Sequence, residues 1–117
     1  MKARVVMPEI SDQIDLDDML SSATQACALL KVLANRDRLM LLCQLTQGEF
    51  CVSELQTALG IEQPTLSQQL TVLRQEALVT TRRDGKLIFY SIASPEAMAV
   101  MQVLYEQFCS KPAGKKK

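Results

Sequence analysis

Four cysteines, Cys27, Cys43, Cys51 and Cys109, carry the most reactive side chains of this 117-residue sequence, which contains no histidine. A thiol attacks, binds metal or joins a disulfide as its thiolate, so its neighbours decide its chemistry. The missing imidazole removes Ser-His-Asp and Cys-His catalysis, and with them every histidine-containing metal site. The sequence also lacks a Cys-x-x-Cys pair and a phosphate-cradling glycine loop. The chain is therefore expected not to be an enzyme, with no catalytic residue, no metal and no cofactor. Cys43 follows Leu39 by four residues, the spacing of an apolar helix position, where a thiol is often a small inert hydrophobe. Cys109 lies near the end of the chain, where packing gains little, and Lys111 nearby favours its thiolate.

A second group offers hydrogen bonds. Gln63, Thr65, Ser67, Gln68 and Gln69 cluster within seven residues, and Arg82, Arg83 and Lys86 follow. Amides and hydroxyls on a helix can read base edges, and a basic loop can meet phosphates. Taken singly, each group also fits a solvated helix face or an ordinary charged turn.

The elements that must position these groups can be read from apolar spacing. A first helix is expected from about Leu16 to Ala34, with Met19, Leu20, Ala23, Ala26, Cys27, Leu30 and Leu33 on one face. A second runs from Arg36 to Leu45, with Leu39, Leu42, Cys43 and Leu45 inward. Val52 to Leu59 forms a short helix closed by Gly60. Pro64 to Glu76 forms another, with proline at its first position and Leu66, Leu70 and Leu73 buried. The period then changes. Leu78 to Arg82 and Lys86 to Ile92 read as strands, with Asp84-Gly85 as the hairpin turn between them. A last helix spans Pro95 to Cys109, its stripe being Ala97, Val100, Met101, Leu104, Tyr105 and Phe108.

Two short helices across a turn, followed by a β-hairpin, make a winged helix-turn-helix: mainly α, with a β-hairpin wing. The helix from Pro64 to Glu76 would lie in the major groove. The expected division is a mobile arm over 1–14, a DNA-binding and dimerisation domain over 15–109, and a disordered basic tail over 110–117. Formal net charge is zero, which leaves open a protein-interaction module that kept this fold without binding DNA. No stretch is apolar enough to cross a membrane and no signal peptide is apparent, so a cytoplasmic location is expected.

The runs Leu33-Ala34-Asn35-Arg36-Asp37-Arg38-Leu39, Gly48-Glu49-Phe50-Cys51-Val52-Ser53-Glu54-Leu55 and Gln63-Pro64-Thr65-Leu66-Ser67-Gln68-Gln69-Leu70-Thr71-Val72-Leu73-Arg74 resemble the ArsR/SmtB family of repressors. The resemblance covers about Leu16 to Cys109. It implies a homodimer through the first and last helices, with Leu20, Cys27, Val100, Met101, Leu104 and Tyr105 at the interface. It also implies a double-stranded operator as partner. Many family members sense metals through two cysteines flanking a valine. Here that place reads Cys51-Val52-Ser53, so a thiol-based metal sensor using Cys51 and other cysteines is the alternative. Within the family, Cys43 and Cys109, together with Gly48-Glu49-Phe50 and Tyr90-Ser91-Ile92, resemble the sulfide-responsive biofilm growth repressors (BigR-like) and the related HlyU-like virulence regulators. That resemblance implies a Cys43–Cys109 disulfide or polysulfide bridge, formed by reactive sulfur or an oxidant, that releases DNA. The genes so controlled would serve sulfide and persulfide detoxification, or stress and virulence.

Overall fold

The structure is a computed structural model and describes residues 14–109. Residues 1–13 of the arm expected over 1–14, and the tail expected over 110–117 with Lys111 included, lie outside the described residues. The chain divides into two units, Met1–Leu30 and Lys31–Lys117.

Helix α1 spans Leu16–Leu33, and its first four turns belong to the first unit. Asp15 starts it. The Asp15 carboxylate accepts the backbone N–H groups of Asp17 at 2.9 Å and Asp18 at 3.4 Å. Asp17 and Asp18 in the first turn and Lys31 in the last complement the helix dipole. The apolar face foreseen for this helix is present but uncovered in the single chain. Leu16, Met19, Leu20, Cys27 and Leu30 are exposed, Leu20 by 74%.

In the second unit, Val32 and Leu33 are buried at the end of α1. Asn35 then caps α2 (Arg36–Leu45), its side chain accepting the Arg38 N–H at 3.0 Å. A two-residue strand β1 (Phe50–Cys51) leads into α3 (Val52–Leu59). Gly60 ends α3 at φ +70°, a conformation open to glycine without a Cβ penalty. Helix α4 (Thr65–Gln75), the hairpin β2 (Val79–Asp84) and β3 (Leu87–Ile92), and α5 (Pro95–Phe108) complete the order. Ser94 caps α5 by accepting the Ala97 N–H at 3.0 Å.

The core is leucine from three helices. Leu41 and Leu42 of α2, Leu55 of α3, and Leu66, Leu70 and Leu73 of α4 are fully buried. Each removes a branched side chain from water, about 2 kcal/mol of transfer free energy apiece. The foreseen α4 face is thus realised in full. On α2 Leu42 and Leu45 are buried as foreseen, Leu41 is a further inward position that the sequence reading passed over, and Leu39 and Cys43 are only half-buried.

Three local expectations are corrected. Pro64 is the N-cap of α4 and not its first residue. The hairpin closes on Gly85-Lys86 and not Asp84-Gly85, because Asp84 pairs with Leu87 and extends β2 to the turn. Gly85, at φ +65°, takes the first central position of a two-residue loop, where II′-type turns require glycine. The sheet has three strands in the order β1-β3-β2. Phe50 pairs with Tyr90 and Cys51 with Phe89, both antiparallel. A two-residue strand whose partner lies about forty residues away leaves no periodic signal.

Candidate nucleic-acid interface and thiol site

The recognition helix α4 begins with a side-chain cap that the sequence did not reveal. Gln63 Oε1 accepts both the Ser67 N–H at 3.1 Å and the Ser67 hydroxyl at 2.8 Å. Gln63 and Ser67, both foreseen as DNA-binding, are therefore joined to each other at the exposed helix N-terminus. Thr65 is half-buried, whereas Gln68 is exposed, and no side-chain bond engages it among the described residues.

Gln69 points elsewhere. Its Oε1 accepts from Arg38 Nη1 at 2.9 Å, and Arg38 Nε donates to the Val32 carbonyl at 2.7 Å. The Arg38 fork thus ties the end of α1 and the start of α2 to the middle of α4. Gln69 is half-buried in this contact, so it acts here by fixing the helix and not by offering its amide outward. Sequence reasoning missed Arg38 because its partners lie six residues behind it and thirty-one ahead.

On the wing, Arg82 is likewise engaged within the chain. Arg82 Nε reaches both Glu49 oxygens, at 2.9 and 2.8 Å, and Nη1 lies 3.9 Å from Asp84. The Arg82 guanidinium also sits 4.8 Å from the centroid of Phe89. The hydrogen bond from Arg82 holds the Glu49 carboxyl below its ordinary value, and Glu49 in turn raises Arg82. Arg82 is therefore matched by carboxylates and anchors the hairpin to the loop before β1. Arg83 and Lys86, exposed at the tip, carry no ion pair among the described residues. Together with Gln68 they form the outward polar set that can meet a nucleic acid.

All four thiols are free. Cys51 is buried at the N-cap of α3, where its N–H donates to Glu54 Oε1 at 2.9 Å. Its Sγ lies 3.4 Å from the Ser53 hydroxyl. No group of three or more cysteine or carboxylate side chains able to hold a metal occurs among the described residues. Cys27 is exposed on α1.

Cys43 is half-buried on α2 and lines a cavity of about 600 Å³. The opposite wall comes from α5: Met98, Met101, Gln102, Tyr105 and Glu106. Cys109 is exposed as the C-cap of α5, its N–H donating to the Tyr105 carbonyl at 2.8 Å. It thus follows the last cavity-lining turn directly. Of the residues foreseen at a dimer interface on α5, Met101 is buried within the single chain, Val100 and Leu104 are half-buried, and Tyr105 is 55% exposed. Phe108, at the end of the same stripe, is 76% exposed.

Comparisons with known proteins agree with this architecture. The family described as bacterial regulatory protein, arsR family, matches residues 35–81. The biofilm growth-associated repressor of Agrobacterium fabrum is 51% identical over 98 residues, 84% of each chain. The transcriptional activator HlyU of Vibrio cholerae is 38% identical over 82% of this chain and 89% of its own. The crystal structure of the transcriptional repressor BigR from Xylella fastidiosa matches with a TM-score of 0.80 at 46% identity, covering 84% of this chain and all of that one. Reduced HlyU from Vibrio cholerae matches with a TM-score of 0.75 at 38% identity, over 80% of this chain and 98% of that one. A winged helix-turn-helix fold that matches these regulators over most of their length, at 51% identity to one of them, places this chain in the ArsR family of bacterial regulatory proteins, as a transcription regulator and not an enzyme.

Proposed function

We propose that the chain is a homodimeric repressor that holds operator DNA through α4 and the wing and releases it when Cys43 and Cys109 are bridged. The observation that carries this reading is the placement of Cys43 in a cavity walled by α5, with Cys109 capping that same helix. Repression is supported by the names of its relatives, a biofilm growth-associated repressor and BigR. Dimerisation is supported by the exposed apolar residues of α1 and by Tyr105 and Phe108 of α5, which a second copy would cover. The genes under control would be those of sulfide and persulfide detoxification, or of stress and virulence.

The chemistry balances without a further oxidant when a hydropersulfide is the inducer. One cysteine thiolate takes the outer sulfur of the hydropersulfide and expels its thiol. The second thiolate then attacks the inner sulfur of the new cysteine persulfide, closes the Cys43–Cys109 disulfide and expels hydrogen sulfide. A peroxide would reach the same disulfide by accepting two electrons and two protons, leaving water. A bridge that retains extra sulfur atoms requires further rounds of sulfur transfer. For the bridge to act as a switch it must be accommodated better by the form that does not bind DNA. A coupling of about 1–3 kcal/mol already weakens binding by roughly 5- to 150-fold.

Intact-mass spectrometry beside a gel shift on the region upstream of its own gene tests this. Cys43→Ser and Cys109→Ser should each bind when reduced and neither should release on persulfide treatment, while Cys27→Ser and Cys51→Ser should respond as the parent does. A double variant Cys43→Ser/Cys109→Ser that kept its full response would sink the sensing mechanism and leave the DNA-binding reading intact. The metal-sensing alternative would draw on Cys51, which is buried at the N-cap of α3 and belongs to no group of three or more candidate ligands among the described residues.

A further inference from the structure

The outward face of α4 continues past Gln68. Thr71, Arg74 and Gln75 follow Ser67 and Gln68 at helical spacing, and all are exposed. Arg74 stands two turns beyond Ser67, about 10 Å along the axis. Where it emerges, α4 and β3 form an open cleft of about 370 Å³ lined by Thr71, Arg74, Gln75 and Tyr90. Among the described residues no carboxylate lines it. Thr71 has already turned its hydroxyl proton inward, to the Ser67 carbonyl at 2.9 Å. The donors left to face the cleft are the Arg74 guanidinium, the Gln75 amide and the Tyr90 phenol.

The arginines of this unit divide by partner. Arg82 is matched by Glu49 and Asp84, Arg36 lies 3.7 Å from Asp37, and Arg38 is held by Val32 and Gln69. Among the described residues Arg74 and Arg83 have no such partner, and of the two only Arg74 stands on α4. The cationic group beside the recognition helix is thus Arg74, while Arg82, the first basic residue of the wing, is neutralised. A planar guanidinium with amide and phenol donors around it suits an oxyanion, above all a phosphate that takes two parallel N–H bonds.

We propose that Arg74, with Tyr90 and Gln75, grips a phosphate of the DNA backbone at the junction of recognition helix and wing. The contact sets how deeply α4 sits and carries no base information. This rests on the DNA-binding reading and is independent of the thiol switch. Gln75 and Thr71 of the cleft stand within about 60° of Gln68 around α4, and Arg74 lies one step further round, so a duplex engaged by Gln68 passes beside the cleft. That continuity favours a backbone phosphate over a free anion.

Fluorescence anisotropy across a salt series tests it, on a duplex from upstream of the protein's own gene and on a random duplex of equal length. Arg74→Gln should reduce the slope of log K against log salt by about one on both duplexes. The advantage of wild type over the variant therefore shrinks about fourfold between 50 and 200 mM salt. Arg74→Lys, which keeps the charge, should restore the slope. Tyr90→Phe removes a neutral donor, so it should weaken binding and leave the slope unchanged. An Arg74→Gln protein with the parent slope would overturn the proposal while the DNA-binding reading stood. A wild-type protein that bound neither duplex would overturn both. Inorganic phosphate that raised the melting temperature of the wild type but not of Arg74→Gln, with the DNA slopes equal, would reassign the cleft to a free anion.

Discussion

Replacing Arg38 by alanine should cost more than any other single change to a charged residue in this fold. Arg38 is half-buried and makes two charge-assisted hydrogen bonds, to the Val32 carbonyl at 2.7 Å and to Gln69 Oε1 at 2.9 Å. A hydrogen bond to a charged group contributes about 1.5–3 kcal/mol. Partial exposure and the coupling of two bonds on one side chain bring the pair to about 2–3 kcal/mol. In a domain of this size that corresponds to a fall in melting temperature of roughly 8–24 °C. Lysine should recover little of it, because an ammonium cannot reproduce a fork aimed at two acceptors. Thermal melts of the parent, Arg38→Ala, Gln69→Ala and the double variant isolate the Arg38–Gln69 term as a cycle, expected at about 1 kcal/mol or more. Operator affinity should fall in Arg38→Ala even where the protein remains folded, since α4 loses its tie to the α1–α2 corner. A melt within about 2 °C of the parent, together with zero coupling in the cycle, would refute the assignment of Arg38 as the positioner of the recognition helix.

Three further outcomes follow from the geometry. Ala77 closes α4 at φ +63°, with the Leu78 N–H on the Leu73 carbonyl at 2.9 Å, so it sits where glycine is favoured. Ala77→Gly should stabilise by about 0.5–1 kcal/mol after the extra entropy of the unfolded glycine, and an unchanged or lower midpoint in urea would contradict the strain. The Glu49 carboxyl is held below its ordinary value of 4.5 by Arg82. The pinning of the wing is therefore complete above that value and lost as pH falls through the lowered one. The downfield NMR shift that the carboxylate imposes on the Arg82 Nε–H should collapse in acid and be absent from Glu49→Gln at every pH; a shift that survives Glu49→Gln would show the pair to be idle. Leu20 is so exposed in the single chain that Leu20→Glu should leave the fold intact, yet light scattering should report a monomer if α1 meets a second copy. A folded Leu20→Glu dimer would move the interface elsewhere.

The sequence by itself determined the elements and their order. Leucines recurring at helical spacing specified the buried face of α4, and a Val/Thr/Ile/Phe/Tyr-rich stretch around Gly85 specified a hairpin. These are local signals, set by backbone propensity and by side chains three or four residues apart. The sequence also supplied the pool of site residues, but not which of them face outward. Gln69 and Gln68 are neighbours of the same chemistry, and the 100° between them on the helix turns one toward Arg38 and leaves the other exposed. Arg82 and Arg83 are equally adjacent, and strand alternation sets Arg82 over Phe89 within reach of Glu49 while Arg83 remains unpaired. The β1 strand, the Arg38 fork and the Cys43 cavity join residues thirty or more positions apart. No local pattern encodes such pairings, because they exist only once the leucine core has closed and fixed which faces meet.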